Sequence, residues 1–269
     1  MRKLAKLLCL PVLTFMVSCA PQSSNDGPQE PEEEKVYDVL FIGNSFTFYN
    51  SLDVLSQKIA TNIGINMTCK AITLGSHSLL EDADPNDQLG KVIAADLNSN
   101  QHTDIVLQDK SNYPYNHYSE FKEGVTKMNE IIKNTQENAN VFLYETWGYV
   151  SDNFSDDIPS MENTIRANTK MVAKKQDMTV CYVGEAFTYV YENYPNLNLY
   201  YRDNKHPSYL GTYLSALVHV ATITGKHVNN VTYQGTYGEV NEYGEVAFVS
   251  EATKNILISV AERVVFGVL

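Results

Sequence analysis

The sequence predicts an α/β domain built on a five-stranded parallel sheet with helices on both faces. Three observations carry this. Five apolar runs of strand length stand at 36–43, 66–75, 104–108, 140–146 and 178–184. Segments of helical pattern separate them. The runs are continuous rather than alternating, as strands covered on two faces are. A chain of 269 residues with 43% apolar content can bury one sizeable core, and neither a repeat nor a second domain is visible.

In chain order, "VYDVLFIG" (36–43) is the first strand, and "SLDVLSQKIATNIG" (51–64) carries apolar residues at helical spacing. "NMTCKAITLG" (66–75) is the second strand, and "PNDQLGKVIAADLNSN" (85–100) reads as a helix. "DIVLQ" (104–108) is the third strand, followed by a long helix over 118–139. "NVFLYET" (140–146) is the fourth strand, with a helix over 158–176. "MTVCYVG" (178–184) is the fifth, and helices over 207–225 and 250–265 close the domain. The Gly/Asn/Tyr-rich stretch 227–247 reads as a long loop or a small hairpin on the rim.

The first residues read as processing signals rather than fold. Arg2, Lys3 and Lys6 precede the apolar "LLCLPVLTFMV", too short to span a membrane. "MVSC" at 16–19 resembles a lipoprotein cleavage box, which implies a signal peptide over 1–18 and lipid attached to Cys19. A plain secretory signal with an incidental cysteine is the alternative. The lipoprotein reading implies export and anchoring to the bacterial cell envelope. Residues 19–35, rich in Pro, Ser, Gln and Glu, read as an acidic tether, with the domain over 36–269.

The formal charge of −12 argues against a nucleic-acid partner, and no basic patch suggests peripheral membrane binding. Cys69 and Cys181 fall in apolar strands and read as small core residues. No CxxC or HExxH spacing occurs, and no metal or cofactor is expected.

Ligands of an open parallel sheet bind at the carboxyl ends of its strands. Those ends carry Gly43-Asn44-Ser45, Gly75-Ser76-His77, Gln108 through Asn112, Thr146-Trp147, and "YYRDNKHPSYLG" before the helix over 207–225. A serine, a histidine, an acid and several amides are the parts of acyl transfer, in which a base takes the serine proton and an acid orients the base. Asp203 and His206 share one short loop, three residues apart. Ser45 on its own reads as a turn or cap residue; it is Asp203 and His206 downstream that turn the reading toward a nucleophile. Gly43 is expected to let the backbone turn where a ligand approaches closely, and Asn44 reads as a turn residue.

"GNSFT" (43–47) and "DNKHPS" (203–208) resemble the first and last motif blocks of the SGNH (GDSL-like) serine hydrolases. The resemblance spans most of 36–225 and implies a flavodoxin-like three-layer sandwich. It implies Ser45 as nucleophile, His206 as base and Asp203 as its orienting acid. Ser45 N–H and Gly75 N–H would line the oxyanion hole. The first block has Asn44 where the family usually has aspartate. The third block departs as well: Gln108 is the favoured amide donor, with Asn112 as competitor.

His77 is a possible substrate contact. Trp147 reads either as a platform for a sugar ring or as a core plug. His117 reads as a loop residue, His102 as surface, His219 as packing, and His227 lacks an evident partner. The expected function is a serine esterase that removes acyl groups, most simply acetyl, from a carbohydrate. A glycan-binding lipoprotein of little or no activity, or an acyltransferase using the same triad, are the alternatives.

Overall fold

Strand β1 (Tyr37–Gly43) leads into a short helix α1 (Ser45–Phe48) and then α2 (Leu52–Asn62). Next come β2 (Met67–Thr73), α3 (Leu79–Asp82), α4 (Gln88–Ser99) and β3 (Asp104–Leu107). Helices α5 (Tyr113–Asn116) and α6 (Tyr118–Thr135) precede β4 (Asn140–Glu145), α7 (Ile158–Gln176) and β5 (Thr179–Tyr182). The chain continues through α8 (Val183–Asn193), α9 (Tyr209–Thr224), β6 (Gly235–Val240), β7 (Val246–Phe248) and α10 (Glu251–Phe266). This computed structural model describes residues 35–151 and 156–268. The readings on the signal peptide over 1–18, on Cys19 and on the tether up to residue 34 lie outside the described residues.

Five strands form one parallel sheet in the order β2-β1-β3-β4-β5. The expected sheet is therefore present, with β3 at its centre. Alternate residues of each strand feed two cores. Val39 and Phe41 of β1 face one, filled by α2, α8, α9 and α10. Leu40 and Ile42 face the other, filled by α4 and α6, while α7 contributes to both. Helix α9 is apolar nearly all round because it lies between α2 and α10.

Most helices begin where the sequence supplies a cap. Asp87, Asp157, Ser208 and Ser250 each accept a backbone N–H of the first turn of α4, α7, α9 and α10. Three sequence readings change. Helix α8 is not expected from sequence, because "CYVG" (181–184) continues an apolar run. His102 is buried, not at the surface: its ring lies between Asp38 (2.6 Å) and Asp96 (2.9 Å). His227 has a partner, Glu262 at 2.5 Å. His219 is packing, as expected, and burial pushes its imidazole down to about 4. The stretch 227–247 does contain a hairpin, β6–β7. Cys181 on β5 is buried and Cys69 on β2 partly so, and the two strands are opposite edges of the sheet.

Candidate active site

The chain runs β1 to β2 on one side of β1 and then crosses to β3 on the other. That reversal opens a crevice at the carboxyl ends of β1 and β3. Ser45 stands there, as the first residue of α1. Asn44, 2% exposed, fixes the turn before it. Its Oδ1 accepts Phe46 N–H (3.2 Å), and its Nδ2 donates to His77 O (2.9 Å) and Asp109 O (3.3 Å). One carboxamide thus ties together the loops that follow β1, β2 and β3. This is the role of Asn44 that the sequence does not show.

The second half of the site is one closed loop. Ser208 N–H donates to Leu199 O (2.9 Å) and Tyr201 N–H to His206 O (2.8 Å), so the stretch between folds back on itself. Asn204 takes the left-handed conformation at the tip, with φ 55°. Asp203 Oδ1 accepts the N–H groups of Lys205 (3.1 Å) and His206 (3.0 Å). Asp203 Oδ2 stands 2.5 Å from His206 Nδ1, and His206 Nε2 stands 2.8 Å from Ser45 Oγ. The three side chains that the sequence singles out therefore meet in one hydrogen-bonded chain across 161 positions of sequence.

Burial alone would raise the Asp203 carboxyl. Hydrogen bonds from the His206 ring, His206 N–H and Lys205 N–H outweigh it and hold the group below the usual carboxylate range. Two other acids behave oppositely. Burial pushes Asp109, 3% exposed, up to about 7, against donation from Leu79 N–H and Lys110 N–H. Burial also pushes Asp82 up to about 7, against the His77 hydrogen bond.

Aromatic rings hold the imidazole. Tyr49 stacks on His206 at 4.2 Å between centroids, and Tyr243, from the β6–β7 hairpin, stacks on the far face of Tyr49 at 4.1 Å. Phe46 meets His206 edge-on at 5.6 Å. Neither tyrosine was singled out from sequence. Tyr243 is hidden among eighteen tyrosines, in a stretch with no motif.

Trp147 is the core plug, not an exposed platform. It is 0% exposed, sandwiched between Phe46 (4.5 Å) and Phe187 (4.0 Å). Its indole N–H donates to Lys205 O at 3.0 Å and so anchors the His206 loop. The His77 ring is engaged by Asp82 at 3.0 Å, with Asp87 at 3.7 Å.

The four expected donors differ in what they already bond. Ser45 N–H and Gly75 N–H donate to no acceptor among the described residues. Gly75 lies in the turn after β2, tied to the end of β1 by the bond from Leu74 N–H to Gly43 O (3.2 Å). Gln108, by contrast, is 1% exposed and turned inward. Its Oε1 accepts Asn44 N–H and Thr47 Oγ1–H, both at 2.9 Å, and its Nε2 donates to Asp109 O. Asn112 donates to Asn116 at 3.1 Å. Among the described residues neither amide bonds Ser45. The close approach that Gly43 allows is also not to a ligand: a Cβ there would lie 2.6 Å from Gln108 Oε1.

No family model matches the chain, and no curated protein sequence matches it. Solved structures do. A candidate SGNH hydrolase from Slackia heliotrinireducens superposes with a TM-score of 0.61 at 22% identity, over 70% of this chain and 100% of that one. The fold is that of the SGNH hydrolases. A DUF4886 family protein from Bacteroides uniformis shares it with a TM-score of 0.71 at 16% identity, over 87% and 96% of the two chains. So does the lipase/acylhydrolase from Enterococcus faecalis, with a TM-score of 0.52 at 14% identity, over 71% and 96%. At these identities the likeness is one of fold. Within the SGNH fold, Ser45 follows the first strand and His206 precedes the helix packed behind the sheet.

Proposed function

We propose that the protein is a serine esterase that removes an acyl group, most simply acetyl, from a carbohydrate. The observation that carries this reading is the Ser45–His206–Asp203 chain, with spacings of 2.8 and 2.5 Å. Ser45 Oγ attacks the ester carbonyl carbon while its proton passes to His206 Nε2. The carbonyl oxygen, now an oxyanion, accepts from Ser45 N–H and Gly75 N–H. Collapse breaks the ester C–O bond, and His206 gives its proton to the leaving alkoxide. Water then attacks the acyl-serine with His206 again as base, and the free acid leaves. Asp203 holds the imidazole tautomer throughout and stabilises the imidazolium. Nothing in this sequence of steps requires a metal or organic cofactor. Tyrosines 49, 201 and 243 around the histidine suit a sugar ring better than a long acyl chain.

A fluorophosphonate probe tests the reading. The folded protein should label at Ser45, and Ser45→Ala should abolish labelling and lower turnover of p-nitrophenyl acetate by about 10⁴-fold or more. A well-folded protein that does not label is no serine hydrolase. One observation favours a weaker enzyme or a glycan-binding protein: Gln108 and Asn112 withhold the third oxyanion donor, worth about 2.7–4 kcal/mol in such sites. Faster turnover on adding sugar acceptors would indicate acyl transfer instead. We also propose export and lipid attachment at Cys19, to be checked by incorporation of labelled palmitate into the wild type and not into Cys19→Ala.

A further inference from the structure

Two lysines flank this site. Lys205 immediately precedes His206, and Lys110 immediately follows Asp109, whose carbonyl is held by Asn44. Each ammonium lies over an aromatic ring: Lys205 over Tyr149 at 5.0 Å, Lys110 over Tyr113 at 5.4 Å. Tyr149 in turn bonds Ser111, the neighbour of Lys110, at 3.2 Å, so the two lysines share one patch. Among the described residues neither lysine forms an ion pair, whereas Lys70, Lys127, Arg166 and Lys254 all do.

Among the described residues, the acids whose charge reaches these lysines also have hydrogen-bond partners of their own. Asp203 is bound by His206, and Glu81 by Ser78. A ring face attracts an ammonium without neutralising it. Burial, and then the charge of Lys110, push the Lys205 ammonium below its usual range, with Asp203 opposing. The arrangement is also out of character for the chain, whose net charge of −12 repels anions generally. Two half-buried cations at the mouth of the site, with no ion pair among the described residues, are matched by an anion that arrives with the substrate.

We propose that the substrate is an ester of an anionic sugar, and that Lys110 and Lys205 receive its carboxylate or sulfate group. This rests on the esterase reading for its chemistry, but anion binding can be measured apart from it. The patch would hold the acidic group while the ester carbonyl reaches Ser45 Oγ, so the charge would act on substrate choice rather than on the bond broken.

Three methyl glucosides test it, each acetylated on the same ring hydroxyl and differing only at C6: hydroxymethyl, carboxylate, or sulfated hydroxymethyl. The wild type should show kcat/KM about tenfold or more higher for an anionic member than for the neutral one at low salt, falling toward parity near 0.5 M salt. Which anion gains distinguishes a uronic acid from a sulfated sugar. In Lys110→Gln, Lys205→Gln and the double variant, the anionic-to-neutral ratio should fall stepwise toward one. The neutral ester is the internal reference, because disturbance of His206 lowers both rates. A ratio near one in the wild type, or one that survives in the double variant, overturns the proposal. If none of the esters is cleaved and Ser45 does not label, the esterase reading falls and binding decides the anion site. Calorimetric titration of Ser45→Ala with glucuronate, glucose 6-sulfate and glucose should then show binding of an acid and not of glucose. That binding should be lost in Ser45→Ala carrying both lysine substitutions; absence of acid binding to Ser45→Ala overturns the proposal.

Discussion

The Asn44 carboxamide donates to two carbonyls, His77 O and Asp109 O, and accepts from Phe46 N–H. The directions matter, because aspartate is the residue usual at this place in the first block. An ionised aspartate cannot donate, and it would set negative charge against two carbonyl oxygens in a buried turn. Asn44→Asp should therefore destabilise the fold by about 1–3 kcal/mol and lower kcat/KM for p-nitrophenyl acetate, read by thermal melts and steady-state rates. Ser45, Asp203 and His206 were legible in the sequence because each sits in a short motif whose spacing constrains local geometry. The orientation of Gln108 was not legible. It is set by Asn44 N–H and Thr47 across the strand gap that Gly43 leaves open, contacts 61 to 64 positions distant.

At the scale of elements, the β6–β7 hairpin belongs to the site although it lies outside the parallel sheet. Its turn is fixed by Asn241, whose Oδ1 accepts Tyr243 N–H (3.0 Å) and Glu245 N–H (2.9 Å). That turn sets Tyr243 on Tyr49, and Tyr49 on His206. Stacked aromatic pairs contribute about 0.5–1.5 kcal/mol beyond burial, so Tyr49→Leu or Tyr243→Ala should reduce kcat/KM roughly 2- to 12-fold, while Tyr49→Phe stays near the wild type. Steady-state kinetics on p-nitrophenyl acetate separates these outcomes. The start of α8 shows why one helix could not be read from sequence. Its first N–H groups, of Gly184 and Glu185, are capped by the Glu145 carboxylate at 2.8 and 3.3 Å. That cap comes from the end of β4, and nothing in "CYVG" announces it. Gly184 is needed as well, since a Cβ there would lie 2.1 Å from Thr146 O.

Across the whole molecule, buried acids set how stability depends on pH. Asp109 and Asp82 are pushed up to about 7 by burial, from an ordinary 3.8. Burial, with Glu162 alongside, raises Glu145 as well. Between about pH 4 and 7 the folded chain holds protons on these acids that the unfolded chain has released, so stability falls as pH rises through that window. His219, lowered to about 4, has the opposite sign between pH 4 and 6.5, but it is one group against several. The denaturation midpoint should accordingly drop from pH 5 to pH 7. Asp109→Asn keeps an oxygen for Leu79 N–H and Lys110 N–H, and should flatten the dependence by up to about 1.4 kcal/mol per pH unit. Chemical denaturation at a series of pH values measures it. The sheet was legible because five apolar runs must be covered on both faces; its strand order and the hairpin's docking depend on contacts that no local pattern carries.

The two strand cysteines stand four strand spacings apart across the sheet, at least about 19 Å, too far for a disulfide. Reductant should leave the folded domain's stability unchanged. The same separation makes them built-in reporters. Burial, with Asp53 and Asp38 nearby, keeps the Cys69 thiol protonated, and burial does the same for Cys181. Each becomes reactive when its own edge strand opens. Timed alkylation, followed peptide by peptide in a mass spectrometer, would record whether the edge beside β1 frays before or with the far edge.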